Sequence, residues 1–271
     1  MSSSAQPGQE NRFVLEKREG GVATLILNRP ERMNALNKDL VLALNDALTR
    51  AEADQEINVV VLAGAGRAFC AGGDLQAIGK GRQENDVTEL QPVLRSGMQV
   101  VLKMRTMRQP VIAAVHGAAA GAGMNIALAA DIRVASEDAT FGQNFAKVGL
   151  FPDYGGTFFL PQLVGPAKAA EMFYTGDMID AAEALRLGIV NRVVPLAQLE
   201  DEVRALAQKI AQGPAIAIRA VKQTLFGCHK EELMALLDLE VEQQMKCFSS
   251  GDCGEGIRAF FEKRAPRFQG K

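Results

Sequence analysis

Two glycine-rich loops and one carboxylate are the parts of this chain whose residue types and spacing could do chemistry. The first loop, Gly64-Ala65-Gly66-Arg67-Ala68-Phe69-Cys70-Ala71-Gly72-Gly73-Asp74-Leu75, follows the apolar run Asn58–Ala63. The second, His116-Gly117-Ala118-Ala119-Ala120-Gly121-Ala122-Gly123-Met124-Asn125, links the apolar run Val111–His116 to an Ala-rich stretch. Small residues let a ligand approach the backbone, and free N–H groups at the start of a helix then face it. Neither loop carries the Lys-Ser or Lys-Thr of a phosphate loop. Neither completes GxGxxG, because Phe69 and Ile126 stand where the third glycine belongs. Taken singly, each loop reads as a tight turn packing helix on strand. Taken together, two such loops leaving buried strands are better explained as N–H donors converging on one oxygen.

The carboxylate is Asp153, between Pro152 and Tyr154-Gly155-Gly156. On pattern alone it is as readily a turn residue bonding its own backbone as a reactive acid. His116, at a strand end, reads as a structural histidine, and Cys70 as a small buried residue. Glu231, Glu232, Glu240 and Glu242 read as a solvated helix face. Cys70, Cys228, Cys247 and Cys253 form no CxxC pair, and the two histidines, His116 and His229, lie far apart, so no metal site is expected. A net charge of −2, from 30 Lys+Arg against 32 Asp+Glu, argues against a nucleic-acid partner. No apolar run is long enough to suggest a membrane span. The polar start, Met1–Asn11, lacks the apolar segment of a secretory signal and is expected to be a disordered tail. With four thiols, this suggests a reduced, cytoplasmic setting.

The elements that must position the loops follow from periodicity. Phe13–Lys17 and Val22–Asn28 flank Gly20-Gly21 and predict a hairpin. Apolar residues recur at helical spacing from Asn37 to Ala53, with Asn37 as N-cap. Buried strands are expected at Asn58–Ala63, Val111–His116 and Ile132–Ala135, with helices at Leu90–Met107 and from Gly123 to about Ala130. This β-α-β-α-β order implies a mostly parallel sheet. After Gly155 only Ile189–Val194 reads as strand. The organisation expected is a tail over 1–11, an α/β core over 12–199 and a helical region over 200–271.

Several motifs in order resemble the crotonase (enoyl-CoA hydratase/isomerase) superfamily. They are Leu27-Asn28-Arg29-Pro30 with Asn34-Ala35-Leu36, then Phe69–Leu75, the Gly117–Gly123 loop, and Gly149-Leu150-Phe151-Pro152-Asp153 with Gly155-Gly156-Thr157. The ending Glu255-Gly256 through Lys263-Arg264 is also similar, so the resemblance covers about residues 12–268. It implies a repeated ββα superhelix with a helical C-terminal trimerisation region, assembled as trimers or paired trimers. It also implies an acyl-CoA thioester substrate, with coenzyme A part of that substrate and no separate cofactor. The oxyanion hole would be the backbone N–H groups of Gly73 and Ala122. Ala71, Gly72, Gly73, Asp74 and Leu75 would run along the CoA, and Arg32, Met33 and Ala35 would line its entry. Phe260 and Lys263 would approach the adenine and phosphates, often from a neighbouring subunit. Ala118, Gly121, Asn125 and Phe145 complete the expected substrate contacts.

Hydratases of this superfamily hold water with two glutamates. The corresponding positions here are Asn125 and Phe145, so that pair is missing. Asp153 resembles the acid of the Gly-Leu-Ile-Pro-Asp-x-Gly-Gly-Thr pattern in phenylacetate-pathway epoxyphenylacetyl-CoA isomerases. Phe145-Ala146-Lys147 and the ending Lys263–Lys271 are similar to that subgroup too. The implied reaction is a double-bond shift with Asp153 as base, and the alternatives are an atypical hydratase or a non-catalytic CoA-ester binder. Apolar neighbours Phe145, Leu150 and Phe151 are expected to raise the basicity of Asp153.

Overall fold

A computed structural model describes residues 13–83 and 90–271, so the expected tail over 1–11 lies outside the described residues. Strands β1 (Val14–Glu19) and β2 (Val22–Leu27) form the expected hairpin. Gly20 and Gly21 both take positive φ (56° and 80°), the geometry whose twist matches that of a two-residue hairpin. Helix α1 (Lys38–Ala53) starts where predicted, with the Asn37 side chain accepting from Leu40 N. β3 (Val59–Gly64), β4 (Val111–Val115), β6 (Ile132–Ser136) and β9 (Arg192–Val194) then add in parallel beside β2. The six-stranded sheet has the order β1-β2-β3-β4-β6-β9. The intervening helices are α2 (Leu75–Gln83), α3 (Leu90–Thr106) and α4 (Ala122–Ala129).

Alternation along these strands sends side chains to two cores. Leu25, Val60, Leu62, Ala113 and Val115 join α1, α3 and α4 in the larger core. Val59, Val61, Ile112, Ala114 and Val134 face the other way. Leu199, Val203 and Ala207 of α8 (Leu199–Ala211) cover that second face, so the helical stretch after residue 200 opens against the sheet.

Three short strands went unpredicted: β5 (Ala118–Ala120), β7 (Thr140–Gly142) and β8 (Met178–Asp180), which form a second sheet in the order β5-β7-β8. Isolated bridges extend the same layer, Leu36 to Gly73 and Cys70 to Ala119. Successive turns of the chain thus lay down a long strand, a short extended segment and a helix, the repeated ββα superhelix. After β7 come α5 (Gly156–Val164), α6 (Pro166–Thr175) and α7 (Ala181–Arg186). After α8, α9 (Ala215–Phe226), α10 (Lys230–Ser249) and α11 (Gly251–Phe261) make the C-terminal region helical. Among the described residues, no helix is long and apolar enough to cross a membrane.

Candidate active site

The two loops meet because small residues allow it. Gly72 sits at φ 93°, and a Cβ there would lie 2.7 Å from Ala120 O and 3.6 Å from Ala122 N. A Cβ on Gly123 would lie 2.2 Å from Cys70 O. Cys70 N donates to Ala118 O, and Ala120 N donates to Cys70 O, both at 3.0 Å, stitching the loops edge to edge.

The direction of the Gly73 amide follows from its bridge to Leu36. Leu36 N donates to Gly72 O (2.7 Å) and Asp74 N donates to Leu36 O (3.0 Å). The peptides flanking Gly73 therefore satisfy that edge, and its own N–H faces the opposite side. Ala122 is the first helical residue of α4 after Gly121, so its N–H has no intrahelical acceptor. Neither amide has a partner among the described residues. The first loop is held from beneath by Asn34, which is fully buried. Its Nδ2 donates to Ala65 O (2.9 Å), Ala68 O (2.8 Å) and Phe69 O (3.1 Å), and its Oδ1 accepts from Arg29 N (2.8 Å).

Both loops wall a cavity of about 600 Å³. It gathers most of the residues predicted from sequence: Arg32, Met33, Ala35, Ala71, Gly72, Gly73, Asp74, Leu75, Gly121, Ala122, Phe145, Asp153 and Phe260. Asp74 lines it as a structural acid. It takes both Arg29 guanidinium nitrogens at 3.0 Å and accepts from Gln76 N at the start of α2. Three predicted contacts stand off the wall. Ala118 is a strand residue whose carbonyl serves Cys70. Lys263 follows α11 on the exposed surface. Asn125 is fully buried and serves as a strut, with Nδ2 donating to Asp153 O and Oδ1 accepting from Gln143 Nε2, both at 2.7 Å. His116 also lies outside the cavity, its Nε2 bonded to Gly66 O at 2.8 Å.

Asp153 turns inward and is only 7% exposed. Its Oδ2 accepts from Gln244 Nε2 at 3.0 Å, and its buried Oδ1 has no partner. Burial pushes its carboxyl up to about 7, and the nearby Glu240 charge adds to this against the Gln244 bond. Burial acts in the expected direction; the contribution of Glu240 was not anticipated. Glu240 does not join a solvated face. It is 2% exposed and accepts from Gly155 N (2.7 Å), Thr157 N (3.0 Å) and Thr157 Oγ1 (2.6 Å), capping α5. Burial raises its carboxyl too. Tyr154, at φ 54°, packs its ring against α3 where Gly97 stands; a Cβ there would lie 2.1 Å from Tyr154 Cζ. Gln244 and Glu240 are the site residues that sequence reasoning missed. The signal was their place in the stripe Leu233, Leu237, Glu240, Val241, Gln244, Phe248, all buried on α10.

One cavity thus collects two unpartnered amides and a buried carboxyl with one unpartnered oxygen, a set that could stabilise an enolate. The comparisons with known proteins give the family. The family model for enoyl-CoA hydratase/isomerase matches residues 17–271. A probable enoyl-CoA hydratase of Rhodobacter capsulatus is 44% identical over 252 residues, covering 93% of this chain and 95% of that protein. The 1,2-epoxyphenylacetyl-CoA isomerase of Escherichia coli is 38% identical over 266 residues, covering 96% and 99%. A crystal structure of an enoyl-CoA hydratase from Mycobacterium avium subsp. paratuberculosis superposes with a TM-score of 0.86 at 32% identity, covering 95% of this chain and 98% of the other. With its superhelical turns, its paired loops and its near-complete coverage of these relatives, the chain belongs to the enoyl-CoA hydratase/isomerase family, on the crotonase fold.

Proposed function

We propose that this enzyme is an acyl-CoA thioester isomerase that shifts a double bond by a proton transfer. The substrate is a 3-enoyl-CoA or a 1,2-epoxyphenylacetyl-CoA-like ester. The thioester oxygen sits between the Gly73 and Ala122 N–H groups, each contributing about 3–4 kcal/mol as charge builds on that oxygen. On a 3-enoyl ester, Asp153 Oδ1 removes a proton from the carbon next to the carbonyl, leaving a dienolate, and returns it to the far carbon of the former double bond. On the epoxide ester the C–C bond shared by epoxide and ring opens to the oxepin, and the same proton shift follows. Coenzyme A enters as part of the substrate. Arg32, Met33, Ala35 and Ala71–Leu75 bind it from this chain, and Phe260 and Lys263 from a neighbouring subunit of a trimer or paired trimers.

The observation that carries the reading is the lone free carboxylate oxygen. Of the acids lining the cavity, Asp74 is paired with Arg29 and Glu31 is exposed, which leaves Asp153. The two positions that would hold a water-activating pair are an amide, Asn125, and a phenyl ring, Phe145. The Rhodobacter relative's name favours a second reading, hydration, and one assay separates the two. Purified enzyme is given a 3-enoyl-CoA and, separately, crotonyl-CoA, with formation and loss of the conjugated thioester followed by ultraviolet absorbance. Isomerisation that falls about 10³-fold in Asp153→Asn, with unchanged thioester binding, is the expected result. Fast hydration of crotonyl-CoA that survives in Asp153→Asn overturns the proposal.

A further inference from the structure

Gln244 lies on α10, some ninety residues from the base in sequence, yet it is 1% exposed and all its polar atoms are engaged on the base's own segment. Its Oε1 accepts from Phe151 N at 3.0 Å, and its Nε2 donates to Phe151 O at 2.8 Å and to Asp153 Oδ2 at 3.0 Å. The orientation of this amide is fixed, because Phe151 N–H is a donor and demands the carbonyl end. Both N–H groups are then spent, one on the backbone and one on the carboxylate, and none is left to reach a substrate. Resting on the reading of Asp153 as the base, we infer that Gln244 is a positioning residue that clamps Asp153 Oδ2 to the Phe151 backbone and dedicates Oδ1 to proton transfer.

The chemistry favours an amide in this place. A neutral donor holds the anion's direction without cancelling its charge, whereas Lys or Arg would depress its basicity strongly. A proton taken by Asp153 resides on Oδ1, because Oδ2 already faces an N–H. The oxygen that receives the proton is therefore the one that gives it back, on one face of the enolate. The other ionisable groups around Asp153 are few. Glu240 faces it from α10, Tyr154 adjoins it, and the thiols of Cys70 and Cys247 lie near, both pushed up by burial. Asn125 of α4 contributes only a neutral amide to its backbone.

The test compares kcat and KM between pH 5 and pH 9 for the parent, Gln244→Leu, the near-isosteric Gln244→Glu and Asp153→Asn. In the parent, kcat/KM rises with pH as Asp153 ionises. Removing a hydrogen bond from an anion raises its pKa, so Gln244→Leu moves that rise up by about one pH unit and lowers kcat about tenfold, with KM within about twofold. Gln244→Glu places a second acid against Oδ2 and moves the rise further in the same direction. Profiles for both variants that superpose on the parent overturn the inference. So do kcat and KM failing together with a fall in thermal stability and no shift. If Asp153→Asn keeps its turnover, the base assignment itself fails. If Asp153→Asn is dead while both Gln244 variants titrate like the parent, only the role of Gln244 is lost.

Discussion

Asp153→Asn should make the protein inactive and, above neutral pH, more stable. In an unfolded chain the carboxyl titrates near pH 4, whereas in the native cavity burial holds it at about 7. Between those values the native state binds a proton that the unfolded state has lost. Stability that is complete below about pH 4 is therefore given up as pH rises through 7. A gap of about three pH units, at about 1.4 kcal/mol each, sets an upper figure of about 4 kcal/mol at pH 8. Asparagine keeps the shape and cannot ionise. Its carbonyl can take over the Gln244 bond, and its amide replaces the unpartnered Oδ1. An unpaired buried amide costs about 1–2 kcal/mol, leaving a net gain of about 2–3 kcal/mol at pH 8 and close to none at pH 5. For a chain of this size that corresponds to about 4–12 °C in Tm. Thermal unfolding of parent and variant, followed by circular dichroism at pH 5 and pH 8, measures it. A difference in Tm that is the same at both pH values, or a variant less stable at pH 8, refutes the claim that a buried charge burdens the native state.

Further outcomes follow from the same geometry. Ala122→Pro deletes one amide proton at the first position of α4, where proline is tolerated. Steady-state kinetics should show kcat lowered about 10²–10³-fold, with KM within a few-fold and little change in Tm. Glu240→Gln removes the neighbouring charge that helps raise Asp153. The rise of kcat/KM with pH should shift to lower pH, opposite in sign to the effect of Gln244→Leu. Asn34→Ala strands three loop carbonyls. Denaturant unfolding should show a loss of about 2–4 kcal/mol, together with reduced turnover.

Much of the scaffold was legible because its signals are local. The hairpin follows from Gly20-Gly21 between two strand-like runs, the second β-branched at alternate positions, α1 from its spacing and its Asn37 cap, and β3, β4 and β6 from unbroken apolar stretches. β5, β7 and β8 were not legible: each spans three residues, and Ala118–Ala120 has none of the β-branched residues that mark a strand. They exist because neighbouring turns of the superhelix present matching edges. The meeting of the two loops could be read from paired glycines. The surroundings of Asp153 could not, because Gln244 and Glu240 arrive from about ninety residues away. Reading Glu240 as solvated followed its charge and neglected its phase: it falls on the same stripe of α10 as Leu233, Leu237 and Val241. Asn125 and Ala118 sit at the right loop, yet close packing turns them into scaffold.

The Asn125 strut ties together parts that sequence keeps separate. Asn125 grips the Asp153 carbonyl from α4, and α4 begins with Ala122, three residues earlier. Three residues of helix advance about 4.5 Å, and a helix stretches little. The Ala122 amide and the Asp153 segment are thus mounted on a single yardstick. On the proposed reading, a reacting molecule must match that span between its carbonyl and its acidic carbon.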